Sequence, residues 1–219
     1  MTDRLSTPER ILESARKLFN QKGYGATTLA EIAADVGIAQ GNLTYHFPNK
    51  SELALRLEAQ AQGEMKVRWE RKREGQITDD YIEHLLFAKR LTWSYRFLLR
   101  DHPLFSEDPD WLKNNPYMLS DFQELRHLME RLRLSELWCE ASGVDVEVLA
   151  RALWINSRYW MDHLRELENR EQLTWDDLER GIDHHLDVLG CFLTPSARDA
   201  FAAAKVTALR YVNQFDEPT

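Results

Sequence analysis

The stretch GIAQGNLTYHFPNKSEL, Gly37 to Leu53, sets hydrogen-bond donors, two aromatics and a lysine into a segment too short to be a stable helix alone. The residues on either side explain how it is held. Upstream, Thr28 and Glu31 have capping-box spacing, and Leu29, Ile32, Ala33 and Val36 follow at i, i+3, i+4 and i+7 before Gly37 stops the run. A short helix then spans about Gln40 to Phe47, and Pro48 breaks it. Asn49 and Glu52 cap a longer helix that turns Leu53, Ala54, Leu57 and Ala61 inward. Further upstream, Ser6, Pro8 and Glu9 open a helix with Ile11, Leu12, Ala15, Leu18 and Phe19 on one stripe, ended by Gly23.

Two helices joined by a tight turn at 37–39 match a helix-turn-helix. Ala33 is small where the helices approach, and Gly37 can take positive φ at the corner. Leu43 and Ile38 face the core, with Phe47 just beyond. A helix of seven or eight residues is ~11 Å long, and the B-DNA major groove is ~12 Å wide. Pinned by its neighbours, such a helix can enter the groove and leave its polar residues facing bases and phosphates.

The whole chain of 219 residues carries a net charge of −8, which seems to oppose nucleic-acid binding. The distribution is uneven: residues 1–75 hold 12 Lys/Arg against 10 Asp/Glu, so the remaining residues carry the whole acidic excess. A neutral-to-basic head on an acidic body fits phosphate contact confined to one small face. No run approaches ~18 apolar residues, so no membrane span is expected, and the N-terminus lacks an apolar signal segment. Cys139 and Cys191 stand far apart without metal-ligand spacing, which suits two small core side chains in a reducing cytoplasm.

Nearly every later segment also reads with helical period: about 78–100, 117–140, 145–168, 174–189 and 195–213, with a proline-rich loop and at most a short helix around Trp111. The expected fold is all-α. A three-helix helix-turn-helix domain (1–60) is joined by a helix to a larger helical-bundle regulatory and dimerisation domain (61–219).

The block TTLAEIAADVGIAQGNLTYHFPNKSEL, preceded by ILESARKLFNQKGYGA, closely resembles the DNA-binding domain of the TetR family of bacterial transcriptional regulators. The resemblance covers residues 8 to about 57, and SYRFLLRDHPLF with DPDWL looks like a regulatory domain of some proteobacterial members. It implies that Gln40 and Asn42 meet base edges and that Gly41 lets the backbone approach closely. It places the Tyr45 hydroxyl, His46, Lys50 and the pair Thr27 and Thr28 at phosphates. Many members carry a serine where Ala39 stands and a tyrosine where Thr44 stands. The first departure removes an N-cap, worth ~1 kcal/mol. The second shortens the reach to phosphate and leaves a methyl contact to thymine.

The same resemblance implies a homodimer on a double-stranded DNA operator and a small-molecule effector held by the second domain. Trp93, Arg96, Phe97, Phe122, Arg126, Asn156 and Trp160 are the candidate effector residues, and their aromatic richness suits a bulky hydrophobic ligand. Ordinary core packing for the aromatics, and surface positions for the arginines, are the competing reading. Leu178, Ile182, His185, Leu186 and Leu189 form one candidate dimer stripe, and Phe201, Ala204, Ala208 and Val212 another; monomer core explains either equally well. Asp183 to Asp187, DHHLD, offers too few ligands on one helix face for a metal site. No nucleophile elbow, P-loop or dinucleotide fingerprint is present, so neither a cofactor nor catalysis is expected. The rival functions are a helical small-molecule-binding protein that has lost DNA binding and a protein-interaction adaptor.

Overall fold

A computed structural model describes residues 5–71, 75–107, 110, 115–139 and 143–212. Among the described residues every regular element is a helix, and the one β-type pairing is an isolated bridge between Trp138 and Leu193. Packing divides the chain into two units, residues 1–71 with 91–115, and residues 72–90 with 116–218. The first unit therefore takes in residues beyond position 60, where the sequence reading divides the chain by function. The short helix expected around Trp111 lies outside the described residues.

The first unit contains α1 (Thr7–Lys22), α2 (Leu29–Val36), α3 (Gln40–His46), α4 (Lys50–Glu70), the end of α5 (Ile77–Ser94), α6 (Arg96–Asp101) and a 3-10 turn (His102–Leu104). Local chemistry sets the ends of the first four helices. Reciprocal capping boxes open α1 at Ser6/Glu9 and α2 at Thr28/Glu31, and the Asn49 side chain accepts from the Glu52 amide at the start of α4. Gly37 closes α2 in the left-handed region at φ 76°, ψ 37°, where a Cβ would be strained. Ile11, Phe19, Ile32, Leu43, Leu53 and Leu57 meet in one core, each almost wholly removed from water. Burial of this kind stabilises by about 1.5–3 kcal/mol per large side chain.

The helix expected over 78–100 is interrupted at Tyr95 (φ −124°, ψ 33°). The cause is a side chain more than seventy residues upstream. Asn20, buried on α1, donates its amide to the Ser94 carbonyl (2.8 Å) and accepts from the Phe97 amide (3.2 Å). Both backbone groups that a continuous helix would pair internally are thereby satisfied across the break. Phe97 then packs on Phe19 at 5.2 Å, and Phe105 on Tyr24 at 5.1 Å, within the same core.

The second unit contains residues 77–90 of α5, with α7 (Pro116–Arg133), α8 (Val146–Glu166), α9 (Trp175–Gly190) and α10 (Pro195–Val212). Asp145 caps α8, and Thr174 with Asp177 caps α9 as the sequence indicates. One contact sets how closely α8 and α9 approach. The Trp160 ring lies against Gly181, where an added Cβ would stand 2.6 Å from the ring, and its Nε1 donates to the Asp177 carbonyl at 2.8 Å. Of the two stripes read as dimer candidates or monomer core, Leu178, Ile182, His185, Leu189 and Phe201 are almost fully buried and Ala204 nearly so, while Leu186 and Ala208 are only partly buried. The buried members belong to the core of the second unit, and the Val212 side chain lies outside the described residues. Cys139 is half-buried and Cys191 exposed, so Cys191 is not the core side chain expected.

Candidate nucleic-acid interface

Helix α3 is held from one side only. Leu43 and Phe47, four residues apart, are buried against α2 and α4, while Gln40, Gly41 and Asn42 are exposed. Tyr45 is 84% exposed, an unusual place for a large aromatic that makes no core contact. Its ring meets the half-buried His46 ring edge-on at 5.3 Å. Ala39 stands at the N-cap with no side-chain cap bond, as its residue type dictates. Open space surrounds the position a Cβ would take on Gly41.

Recognition of phosphates or base edges by hydroxyl, amide, imidazole or ammonium groups draws on hydrogens that are free to be donated. Gln40, Asn42, Tyr45 and His46 meet this condition: none of their side chains has a hydrogen-bond partner among the described residues. Four of the expected residues do not. Thr27 is 1% exposed, and its hydroxyl donates to the Gly23 carbonyl at 2.7 Å, within the loop. The exposed Thr28 hydroxyl sits 2.9 Å from the Glu31 carboxylate and accepts from the Glu31 amide, closing the cap of α2. Lys22 and the cap hold that carboxylate ionised, lowering its pKa to about 2, so negative charge stands where Thr28 would meet an anion. The Thr44 hydroxyl donates to the Gly41 carbonyl of its own helix (3.2 Å), leaving its methyl group as the free part.

Lys50 is the fourth. Its ammonium donates to the carbonyls of Tyr24 (2.6 Å), Thr27 (2.8 Å) and Gly25 (3.4 Å), and sits 4.3 Å from the Tyr24 ring centroid. An ammonium has three hydrogens, and all three are engaged. The same loop is gripped from the other side: the Tyr24 amide donates to Asp101 at 2.8 Å, and Arg100, beside Asp101, donates to the Phe19 carbonyl at 2.9 Å. Lys50 thus fixes the loop between α1 and α2 to the start of α4. Sequence reasoning missed this because the three carbonyls carry no side-chain signature; the missed partners Asn20, Arg100 and Asp101 likewise act through backbone groups.

The seven candidate effector residues do not form one group. Trp93, Arg96 and Phe97 belong to the first unit, and Phe122, Arg126, Asn156 and Trp160 to the second. Phe97 is core of the first unit, and Arg96 lies over the Trp93 ring at 4.0 Å. Trp160 is the clamp on Gly181 described above. Arg126 is at the surface, 3.7 Å from Glu147, and Phe122 packs edge-on against Trp154. Asn156 keeps a buried amide nitrogen, and Trp93 a buried indole nitrogen, with no partner among the described residues. Among the described residues no group of three or more His, Cys, Asp or Glu is placed to hold a metal ion, and no helix is long and apolar enough to cross a membrane.

Comparison with known proteins bears on the same stretches. Residues 11–57 match the family model described as bacterial regulatory proteins, tetR family, and residues 61–201 match a model described as bacterial transcriptional repressor. The uncharacterized HTH-type transcriptional regulator YerO of Bacillus subtilis (strain 168) is 45% identical over 47 residues, which is 22% of this chain and 16% of that protein. The biofilm operon icaADBC HTH-type negative transcriptional regulator IcaR of Staphylococcus epidermidis (strain RP62A) is 42% identical over 45 residues, 20% of this chain and 24% of that protein. These curated relatives are therefore matched over less than a third of their length. The crystal structure of a TetR-family transcriptional regulator from Marinobacter aquaeolei VT8 shares the fold along 93% of this chain and 98% of its own, with a TM-score of 0.74 at 24% identity.

Proposed function

The chain belongs to the TetR family of bacterial regulators, and from that premise we propose that it is a ligand-responsive repressor that binds a palindromic operator as a homodimer. The observation that carries DNA reading is the outward face of α3. Gln40, Asn42 and Tyr45 are exposed with unoccupied hydrogen-bonding groups, on a helix that Leu43 and Phe47 fix rigidly from behind. Gln40 and Asn42 read base edges, and Gly41 and the Thr44 methyl group allow close approach. Tyr45 and His46 hold phosphates and set register. Thr27, Thr28 and Lys50 act by positioning the reading helix. The description of the model matched over 61–201, and the negative regulation in the name of the Staphylococcus relative, support repression over activation.

A helix of this length covers too little surface for tight specific binding, which supports two copies on half-sites about one helical turn (~34–36 Å) or a little more apart. With the inward stripes of α9 and α10 occupied by the monomer's core, the outward faces around Ala202, Val206 and Asp187 are the ones left to pair. Effector response works through residues 94–105. Asn20, Tyr24 and Glu64 all bind this segment (Tyr95 donates to Glu64 at 2.7 Å), so a ligand that favours a second setting of α6 shifts the loop that Lys50 holds. The ligand shifts the equilibrium only by its difference in affinity for the two settings. Function in the cytoplasm follows from such a role.

Selection of bound sequences from a random duplex pool, with light-scattering mass measurement of the free protein, tests the proposal. An enriched inverted repeat and a two-chain particle are expected; an unenriched pool or a one-chain particle would overturn it.

A further inference from the structure

Between Leu91 and Asp101 stands no glycine or proline, so nothing in the run itself stops a helix. The break at Tyr95 is confined to one residue. The Tyr95 amide still donates to the Leu91 carbonyl (3.0 Å), as in an unbroken helix, while the Leu98 amide donates to the Tyr95 carbonyl (2.9 Å) in place of Ser94's. The Trp93 and Ser94 carbonyls and the Phe97 amide leave the helical ladder there, and each is taken by a side chain. Asn20 binds the Ser94 carbonyl and the Phe97 amide, Arg16 reaches the same carbonyl at 3.5 Å, and Arg96 donates to the Trp93 carbonyl at 2.8 Å. Turning the Tyr95 torsions from −124° and 33° to helical values would return Phe97 to Trp93 and Leu98 to Ser94. The two arrangements pair the same backbone groups, one through side chains and the other through the ladder. Asn20 is buried, and its amide keeps these partners only while the break exists. What α6 gives the first unit lies beyond Tyr95: Phe97 on the Phe19 ring, Arg100 on the Phe19 carbonyl and Asp101 on the Tyr24 amide. A change of direction at Tyr95 moves all of them together.

We propose that residues 91–101 form a two-state element: the broken form is the DNA-reading state, a straight helix is the effector-bound state, and Asn20 is the latch between them. This rests on the effector-responsive reading above and gives its second setting a structure. In the broken form Arg100 and Asp101 grip the loop between α1 and α2 from one side, while Lys50 holds it from the other. Straightening carries Arg100 and Asp101 off the loop, so the start of α2 loses one of its two supports. Asn20 belongs to α1, the helix that packs on α2 and α4, so the reading unit registers directly whether the break is present. The exchange of side-chain for ladder partners is a discrete alternative, which is what coupling between two sites requires. Asn20 acts here as a positioning residue and meets neither DNA nor effector.

Residue-resolved hydrogen exchange on the full chain, without DNA, reads the state from the Phe97 amide. In Asn20→Leu that amide loses its side-chain acceptor. A two-state element responds by straightening, so Phe97, held by Trp93, should exchange no faster than in wild type. A merely structural Asn20 leaves the amide unpaired, and faster exchange would overturn the proposal. Operator binding is measured alongside. Asn20→Leu should weaken it about tenfold or more, the population shift that two lost hydrogen bonds produce. Arg96→Pro bars the straight form, because proline is accommodated at the first position of α6 but not inside a longer helix. Alone it should bind the operator as tightly as wild type, a readout that stands even if Asn20→Leu does not fold. Added to Asn20→Leu, it should recover most of the lost affinity. Equal affinity of Asn20→Leu with and without Arg96→Pro, or loss of binding by a folded Arg96→Pro chain, would overturn the proposal. If wild type itself selects no operator, the regulator reading falls and the exchange of Phe97 alone decides the two-state break.

Discussion

Lys50→Met separates two roles that the same residue type fills in DNA-binding domains. The structure gives the ammonium two good hydrogen bonds, to Tyr24 and Thr27, a longer one to Gly25, and a ring contact. Hydrogen bonds from a charged donor contribute about 1.5–3 kcal/mol each when shielded. Lys50 is only half-buried, so solvent reduces that severalfold. A net loss of about 2 kcal/mol is the working figure, and for a chain of this size that lowers Tm by about 4–8 °C. Differential scanning calorimetry measures it. In parallel, the salt dependence of operator binding counts phosphate contacts, because each contact removed reduces the log–log slope by about 0.9. With all three hydrogens held by carbonyls, the slope should stay constant while stability and affinity fall together. Lys50→Arg keeps the charge but not the three-carbonyl geometry, and should fall between wild type and the methionine variant in stability. An unchanged Tm with a slope reduced by about one unit would show that Lys50 serves phosphate and not the loop.

The second unit yields two further predictions. Gly181→Ala places a Cβ inside the Trp160 ring's contact radius, with backbone on one side and a ring fixed by its own hydrogen bond on the other. Overpacking of this kind costs about 1–3 kcal/mol, and chemical denaturation should show it, whereas Gly190→Ala, which meets only the flexible Arg198 side chain, should be nearly neutral. His185 has its pKa lowered from 6.5 to about 3 by burial, with Lys89 and the neighbouring histidines adding to the effect. Between those pH values the unfolded chain binds a proton that the native chain refuses, so stability is lost as pH falls below about 6.5, steepening to about 1.4 kcal/mol per unit. Urea titrations at pH 7.5 and pH 5 should show a smaller acid loss for His185→Gln than for wild type.

Much of the first unit was legible because its signals are local. Capping boxes, the positive-φ Gly37 and the i, i+4 pair Leu43 and Phe47 each fix structure within a few residues, and together they leave one face of one short helix exposed. The break at Tyr95 was not legible: residues 78–100 have good helical periodicity, and the interruption depends on Asn20, more than seventy residues away. Thr27, Thr28 and Lys50 were read as phosphate donors because family position shows where a side chain lies, not whether its hydrogens are already engaged. For the aromatic residues after position 76 the sequence leaves effector contact and ordinary core packing side by side. Periodicity marks Phe97 and Trp160 as inward-facing, but cannot say that one completes the core of the first unit and the other clamps Gly181.

The central claim is that the outward face of α3 reads duplex DNA. Its most direct measurement is the affinity of Asn42→Ala and Tyr45→Ala, at several salt concentrations, for the selected operator and for point-substituted versions of it. Both side chains are exposed, so stability should be unchanged. Asn42→Ala should lose about 1–3 kcal/mol on the operator and relax discrimination at one base pair of each half-site. Tyr45→Ala should weaken all sequences alike. If both variants bind as tightly and as selectively as wild type, some other surface reads the DNA and the account of α3 fails.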